Sequence, residues 1–271
     1  TKSCEIWWSQ GFSEPDAGSD LASLRTTAVR EGDEYVVNGQ KTWTTLGQFG
    51  DWIFTLVRTD PSADKPQKGI SFLLIDMSSP GLTVRPIKLI DGRHEVNEVF
   101  FDDVRVPADQ LVGEENRGWD YAKFLLGNER TSAAPVGSIK AALAAAKEHA
   151  KATRSPHGTA LDEPLLAARF AQLEAEVMAL ELTVLRVAGD SRDGRPDPAS
   201  SILKLRGSQL QQDVYELMVD VAGVDALTWY TGEWGSETLP RYLNYRKASI
   251  YSGSNEVQRN IISGGILGLK G

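Results

Sequence analysis

Cysteine and histidine are scarce in this 271-residue chain, with one and three residues respectively. The single Cys4 cannot form an internal disulfide, which excludes a disulfide-stapled framework and fits a reducing compartment. His94, His149 and His157 have no partners at metal-ligand spacing, so no metal site is expected. A basic excess is also lacking: 29 Lys+Arg against 37 Asp+Glu leaves a formal charge of −8, which disfavours nucleic acid as a partner. No apolar run approaches the roughly 18 residues of a membrane span, and residues 1–10 lack the basic-then-apolar layout of a signal peptide. What is present is the balance of a globular protein, 41% hydrophobic and 24% charged, with enough length for a large core or two domains.

Two halves differ in periodicity. The first reads as strands separated by turn residues: Glu34–Val37, Trp52–Val57, Ile70–Ile75, Leu82–Arg85 and Val99–Phe101. Asn38-Gly39 is the strongest hairpin signal among them. The polar, proline-bearing segment Asp60–Lys68 reads as an exposed connection, while Pro107 and Gly113 mark a boundary. After Gly118 the pattern becomes helical. Leu166, Phe170, Leu173, Val177, Leu180, Val184 and Val187 alternate steps of four and three on one face, with Asp162-Pro164 as the expected start and Gly189 as the stop. A second helix from about Pro198 aligns Leu203, Leu210, Val214, Leu217 and Val221. Segments Trp119–Arg154 and Lys247–Leu267 complete an expected antiparallel four-helix bundle, the last interrupted near Ser252–Ser254. The fold class is therefore α+β: an antiparallel β-barrel or sandwich over residues 1–112, then a helical bundle over 113–271.

Three segments carry a resemblance. Phe12-Ser13-Glu14-Pro15-Asp16-Ala17-Gly18-Ser19-Asp20, Asn38-Gly39-Gln40-Lys41-Thr42-Trp43-Thr44-Thr45 and Ile250-Tyr251-Ser252-Gly253-Ser254-Asn255-Glu256-Val257-Gln258-Arg259 resemble the signature stretches of the acyl-CoA dehydrogenase family, in that family's order. The likeness covers nearly the whole chain and corresponds to the family's middle β-domain and C-terminal helical domain, about two-thirds of a three-domain architecture whose N-terminal helical domain is not in the sequence. It implies FAD as cofactor and an acyl-CoA substrate, with an α-proton taken by a base and a β-hydride taken by the flavin. By resemblance, Phe12, Ser13, Trp43 and Thr45 contact the flavin ring, Arg154, Ser254 and Glu256 join the cofactor contacts, and Ser19, Arg130 and Tyr251 lie along the substrate. Singly, Trp43 would more often be core and the Pro15–Ser19 stretch an ordinary turn; three ordered motifs favour the cofactor.

Two departures stand out. Many members carry the catalytic glutamate at the position of Ser252, and a serine hydroxyl without an activating partner is far too weak a base. In another branch of the family the glutamate precedes an arginine on the first bundle helix, which here is Glu129-Arg130. Glu129 is therefore the expected base, with Ser252 retaining only its backbone N–H to polarise the thioester carbonyl. An exposed charged pair on a helix is the ordinary alternative for these two residues. The adenosine-binding elements are also altered. His157 stands for an aromatic residue, Leu165 for a glutamine, Asp220 for a glutamine and Val224 for a glycine.

These losses imply a heteromer in which an unlike, homologous chain divides the flavin contacts, as in bacterial members acting on steroid side chains or dicarboxylates. A catalytically silent subunit is the alternative, and a flavin oxidase a third reading. Further expectations are an electron-transferring flavoprotein as acceptor, a bulky acyl group with Trp119, Phe124 and Leu125 toward it, and a cytoplasmic location in a bacterium or, alternatively, the mitochondrial matrix.

Overall fold

The computed structural model describes residues 2–132, 134–190, 198–229, 232 and 234–269, without the side chains of 128–132, 190 and 234. It comprises two compact units, residues 1–123 and 124–271.

The first unit is built on β1 (Trp8–Gly11), β2 (Thr27–Glu31), β3 (Glu34–Thr45), β4 (Trp52–Arg58), β5 (Ile70–Asp76), β6 (Leu82–Lys88) and β7 (His94–Pro107). They form one sheet ordered β1-β4-β2-β3-β7-β6, with β5 on β4. The sheet is mixed rather than wholly antiparallel, because β1 and β2 both run parallel to β4. β1 lies along Trp52–Thr55, and β2 touches β4 only at Arg58. The two strands thus share one edge of β4, while β5 takes the other. The connection between them, residues 12–26, leaves the sheet at this shared edge and contains the first signature segment. Tyr35, Val37, Ile53, Val57, Leu73, Ile75, Val99, Phe101 and Val104 form the core beneath, each contributing about 1.5–3 kcal/mol by leaving water.

The tight turn is not at Asn38-Gly39. Glu31 pairs with Glu34, so the hairpin turns at Gly32-Asp33 with Gly32 at φ +64°. Asn38 and Gly39 lie within β3, where the register against β7 slips between Val37 and Gly39. A Cβ on Gly39 would stand 2.6 Å from the Thr26 Cα. This glycine therefore serves a close approach between backbones, not a reversal.

The chain continues through α1 (Gly118–Ser132) into the helical unit, which contains α2 (Val136–Ala152), α3 (Pro164–Asp190), α4 (Ser200–Ala222), α5 (Trp234–Asn244) and α6 (Asn255–Gly265). The helix read over Trp119–Arg154 is two helices, broken beside Pro135, which caps α2 in a non-helical conformation at φ −79°, ψ 60° and lacks the N–H a continuous helix needs. The face read on α3 is correct. Phe170, Leu173, Val177, Leu180 and Val187 are buried, with Leu166 and Val184 packed against them. The α4 set Leu203, Leu210, Val214, Leu217 and Val221 is buried too. Asp162 does not cap α3: it accepts from Thr159 N and Oγ1 at 2.8 and 2.7 Å, closing a 3-10 turn at Ala160–Asp162, and α3 begins at Pro164. The last expected helix is also divided, with a 3-10 segment at Tyr245–Ser249 and α6 starting only at Asn255.

Candidate active site

In the first unit the Phe12–Asp20 segment is fastened by a buried ion pair. Glu14 is nearly inaccessible, and its carboxylate accepts from Arg25 N at 2.6 Å, Thr26 N at 3.0 Å and Lys41 Nζ at 2.7 Å. Lys41 is fully buried on β3 and also donates to the Phe12 carbonyl at 3.2 Å. Burial works to raise the Glu14 carboxyl, but Lys41 and the hydrogen bonds outweigh it and hold the group below its ordinary value. Burial pushes the Lys41 ammonium down to about 8 despite Glu14. Thr42 N donates to the Ser13 carbonyl at 2.9 Å, so loop and strand are joined backbone to backbone beside the pair.

Phe12 turns its ring inward, edge-on to Phe54 and Phe72 at 5.9 Å each. Only its backbone is left for a ligand. Ser13 is half-buried, Ser19 and Thr45 are exposed, and their hydroxyls have no hydrogen-bond partner among the described residues. Trp43 is 58% exposed and adopts φ +61°. It sits on a bulge: Lys41 pairs with Val99 and Thr44 with Asn97, so three steps along β3 match two along β7. A tryptophan in the left-handed region costs on the order of 1–3 kcal/mol and persists only where neighbours over-determine it. The result is an aromatic plate displayed to solvent, with Thr45 two residues along β3 and Ser13 joined through its carbonyl to the neighbouring Thr42.

In the helical unit the segment before α6 is a second candidate surface. Ser252 and Gly253 are both left-handed, at φ +52° and +82°, and a Cβ on Gly253 would meet Gln258 Nε2 at 2.5 Å. Gln258 Nε2 donates to the Gly253 carbonyl at 3.2 Å. Ser254 is the N-cap of α6, its Oγ accepting from Val257 N at 3.3 Å, while Glu256 pairs with Arg259 at 3.3 Å. Asn255 Oδ1 accepts from Lys204 Nζ at 3.1 Å and Ser208 Oγ at 3.0 Å. Lys204 is buried on α4, and burial pushes its ammonium down to about 8. Tyr251 is exposed beside this turn.

The side chains of Glu129 and Arg130 lie outside the described residues, and their backbone is in α1. Arg154 is exposed in a two-residue ladder with Gly158-Thr159. Of the altered positions, Leu165 is 88% and Val224 79% exposed, and Asp220 forms an ion pair with Arg169 of α3.

Glu14, Lys41, Asn97, Lys204 and Asn255 were given no role from sequence. The signal for Lys204 was available: Ser201, Lys204, Ser208 and Gln211 step by three and four along α4, and all are buried. Among the described residues no cluster of His, Cys, Asp or Glu could hold a metal, and no helix is long and apolar enough to cross a membrane.

Residues 9–104 match the middle domain of acyl-CoA dehydrogenases, and residues 116–267 match their C-terminal domain. The acyl-CoA dehydrogenase IpdE1 of Mycobacterium tuberculosis is 38% identical over 263 residues, covering 97% of this chain and 66% of that protein. The ChsE4-ChsE5 complex from the same organism superimposes with a TM-score of 0.88 at 35% identity, over 98% of this chain and 70% of the other. The Tcur3481-Tcur3483 steroid ACAD, as its G363A variant, gives 0.86 at 26% identity, over 98% and 70%. The chain thus spans about two thirds of the length of these three relatives.

Proposed function

The chain belongs to the acyl-CoA dehydrogenase family, and from that premise we propose that it acts in FAD-dependent α,β-dehydrogenation of an acyl-CoA thioester. The observation that carries this reading is Trp43, an exposed indole held in a strained left-handed conformation on a bulge. An aromatic side chain left in water at a strained position gains nothing as core, and it is suited to stacking on a flat conjugated ring. With the uncommitted hydroxyls of Ser13 and Thr45, these residues fit an isoalloxazine. The Phe12 backbone, Ser13, Trp43 and Thr45 would hold the ring, and Arg154, Ser254 and Glu256 would contribute further cofactor contacts. Bound FAD supplies the two-electron acceptor.

Glu129 is the proposed base. Its carboxylate would take the α-proton, leaving the electron pair of that C–H bond to become the second bond between the α- and β-carbons, with the β-hydride going to the two-electron acceptor that bound FAD would supply. The Ser252 N–H donates to the thioester carbonyl and stabilises the negative charge that develops there. Ser19, Arg130 and Tyr251 are proposed to bind the substrate. The Glu129→Gln variant, assembled with its partner, should retain flavin absorbance and lose turnover by about 10³-fold or more. Undiminished turnover would remove Glu129 from the chemistry and favour the silent-subunit reading.

The cofactor's adenosine end is proposed to be held by a homologous partner chain. Supporting this division, Asp220 is engaged by Arg169, and Val224 presents an exposed side chain where a glycine would let a ligand approach. The likeness to the ChsE4-ChsE5 complex supports the heteromer, and that to a steroid acyl-CoA dehydrogenase supports a bulky acyl group. An electron-transferring flavoprotein is the proposed acceptor. Purifying the chain alone and with its partner tests the division: full flavin occupancy and activity alone would refute it.

A further inference from the structure

The Trp43 plate gains little from its own burial, so whatever keeps it in place lies in the bulge's supports. On the N-terminal side, Lys41 is tied to Glu14 and Phe12, and Thr42 N donates to the Ser13 carbonyl. On the C-terminal side, where β3 again pairs with β7 at Thr44–Asn97 and Thr45–Val96, the side-chain support is Asn97. It is fully buried on β7, and its Nδ2 donates to the Thr44 carbonyl at 3.0 Å and to Gln48 Oε1 at 2.7 Å. Its Oδ1 lies 2.6 Å from His94 Nε2. The amide orientation follows from chemistry: the Thr44 carbonyl can only accept, so nitrogen faces it and the histidine donates to the oxygen. Gly47 packs against the same group, since a Cβ there would meet Thr44 Cγ2 at 3.1 Å and Asn97 Nδ2 at 3.3 Å. Leu46, itself left-handed at φ +51°, donates its N–H to the Glu95 carbonyl at 2.8 Å.

Thr44 is the residue between Trp43 and Thr45. Its carbonyl belongs to the peptide unit joining Thr44 to Thr45, so the bond from Asn97 sets the backbone orientation immediately after the indole and before the exposed hydroxyl. The bulge interrupts the ladder between Lys41 and Thr44, and the side-chain amide adds a bond at the point where pairing resumes, Thr44 against Asn97. We propose that Asn97 is a positioning residue that fixes the Trp43 indole and the Thr45 hydroxyl for the flavin ring. This rests on the flavin-ring reading of Trp43 and adds the means by which the plate is aimed.

The test compares Asn97→Ala and Gln48→Ala with Trp43→Phe as control. Gln48→Ala removes one partner of Asn97 from a partly exposed position, so it keeps the test open if Asn97→Ala fails to fold. Two readouts are used. In the flavin-free chain, the Trp43 indole N–H resonance, assigned by its disappearance in Trp43→Phe, and amide exchange at residues 44–48 report on the bulge. In the complex assembled with the partner, FAD dissociation constant and flavin absorbance report on the ring. Asn97→Ala should shift or broaden the Trp43 resonance, speed exchange at 44–48 by at least 10-fold, and weaken FAD at least 10-fold; Gln48→Ala should move each in the same direction by less.

A lower unfolding temperature with the Trp43 resonance, exchange and FAD affinity unchanged would mean that Asn97 only stabilises the fold, and would overturn the proposal. If Trp43→Phe itself leaves FAD affinity unchanged, the flavin-ring reading fails and the proposed role of Asn97 toward the cofactor fails with it. If Trp43→Phe weakens FAD but neither Asn97→Ala nor Gln48→Ala moves the indole, the ring reading stands and the positioning role is refuted.

Discussion

Replacing Glu14 by Gln should show how much of the first unit rests on one buried charge. The carboxylate now accepts three hydrogen bonds, one from the fully buried Lys41. Glutamine keeps the shape but turns one acceptor into a donor facing donors, and it leaves Lys41 without its counter-charge. The lysine responds by losing its proton. With its ammonium already down at about 8, neutralisation costs on the order of 1 kcal/mol at pH 7, and weakening the charge-assisted bonds adds roughly 2–3 kcal/mol. The sum, about 3–5 kcal/mol, agrees with the usual cost of breaking a buried pair.

The pH dependence gives the sharper check. In Glu14→Gln the folded chain holds Lys41 neutral while the unfolded chain holds it charged, so stability rises with pH by about 1.4 kcal/mol per unit up to the unfolded lysine value. In the wild type this rise begins only near pH 8. The deficit of the variant should therefore shrink between pH 6 and 8 and stay constant from there to about pH 10. Urea unfolding followed by tryptophan fluorescence is a suitable assay, since five of the seven tryptophans, residues 7, 8, 43, 52 and 119, lie in the first unit. A deficit under 1 kcal/mol, or one that does not change from pH 6 to 8, would refute the account. Glu14→Gln combined with Lys41→Met should be more stable than Glu14→Gln alone at pH 6.

Three other outcomes are expected. Lys204→Met should be no less stable than wild type at pH 7, because burial disfavours the ammonium; the balance should move against the variant between pH 8 and 10, where the depressed lysine makes the wild-type curve climb by up to about 1.4 kcal/mol per unit, and a difference independent of pH in thermal unfolding would count against the buried charge. Gly39→Ala should lose about 1–3 kcal/mol from overpacking against Thr26, with backbone strain at φ +147° added; a neutral result in urea unfolding would mean that the two backbones can part. Ser254→Ala should cost about 1 kcal/mol by removing the α6 cap, measurable by amide exchange at Val257, and unchanged exchange there would show that the cap contributes nothing.

The helices of the second unit were legible because their buried faces repeat every three or four residues. Leu173, Val177 and Leu180 state their side of α3 without knowledge of any neighbour. Strands were legible as β-branched and aromatic runs, but their partners were not. The parallel pairing of β1 with β4 is a non-local choice, and the Asn-Gly signal at 38–39 misled because the same glycine freedom that permits a turn also permits close backbone approach at Thr26. The signature segments named Trp43 and Ser13 as site residues, whereas Glu14 and Lys41 stand 27 positions apart and Asn97 acts on Thr44 across 53. Such supports carry no periodicity. They become visible only when strand register brings them together.

The pairing of β1 with β4 also bears on how the chain acquires its structure. Gly11 and Thr55, joined by a hydrogen bond, are 44 positions apart, and closing a loop of that length costs about 3 kcal/mol of chain entropy before any contact compensates it. The hairpins β2-β3, β4-β5 and β6-β7 close far shorter loops and can assemble first. During synthesis β1 must wait until β4 has left the ribosome, so the Phe12–Asp20 segment behind it becomes ordered only after the hairpins have formed.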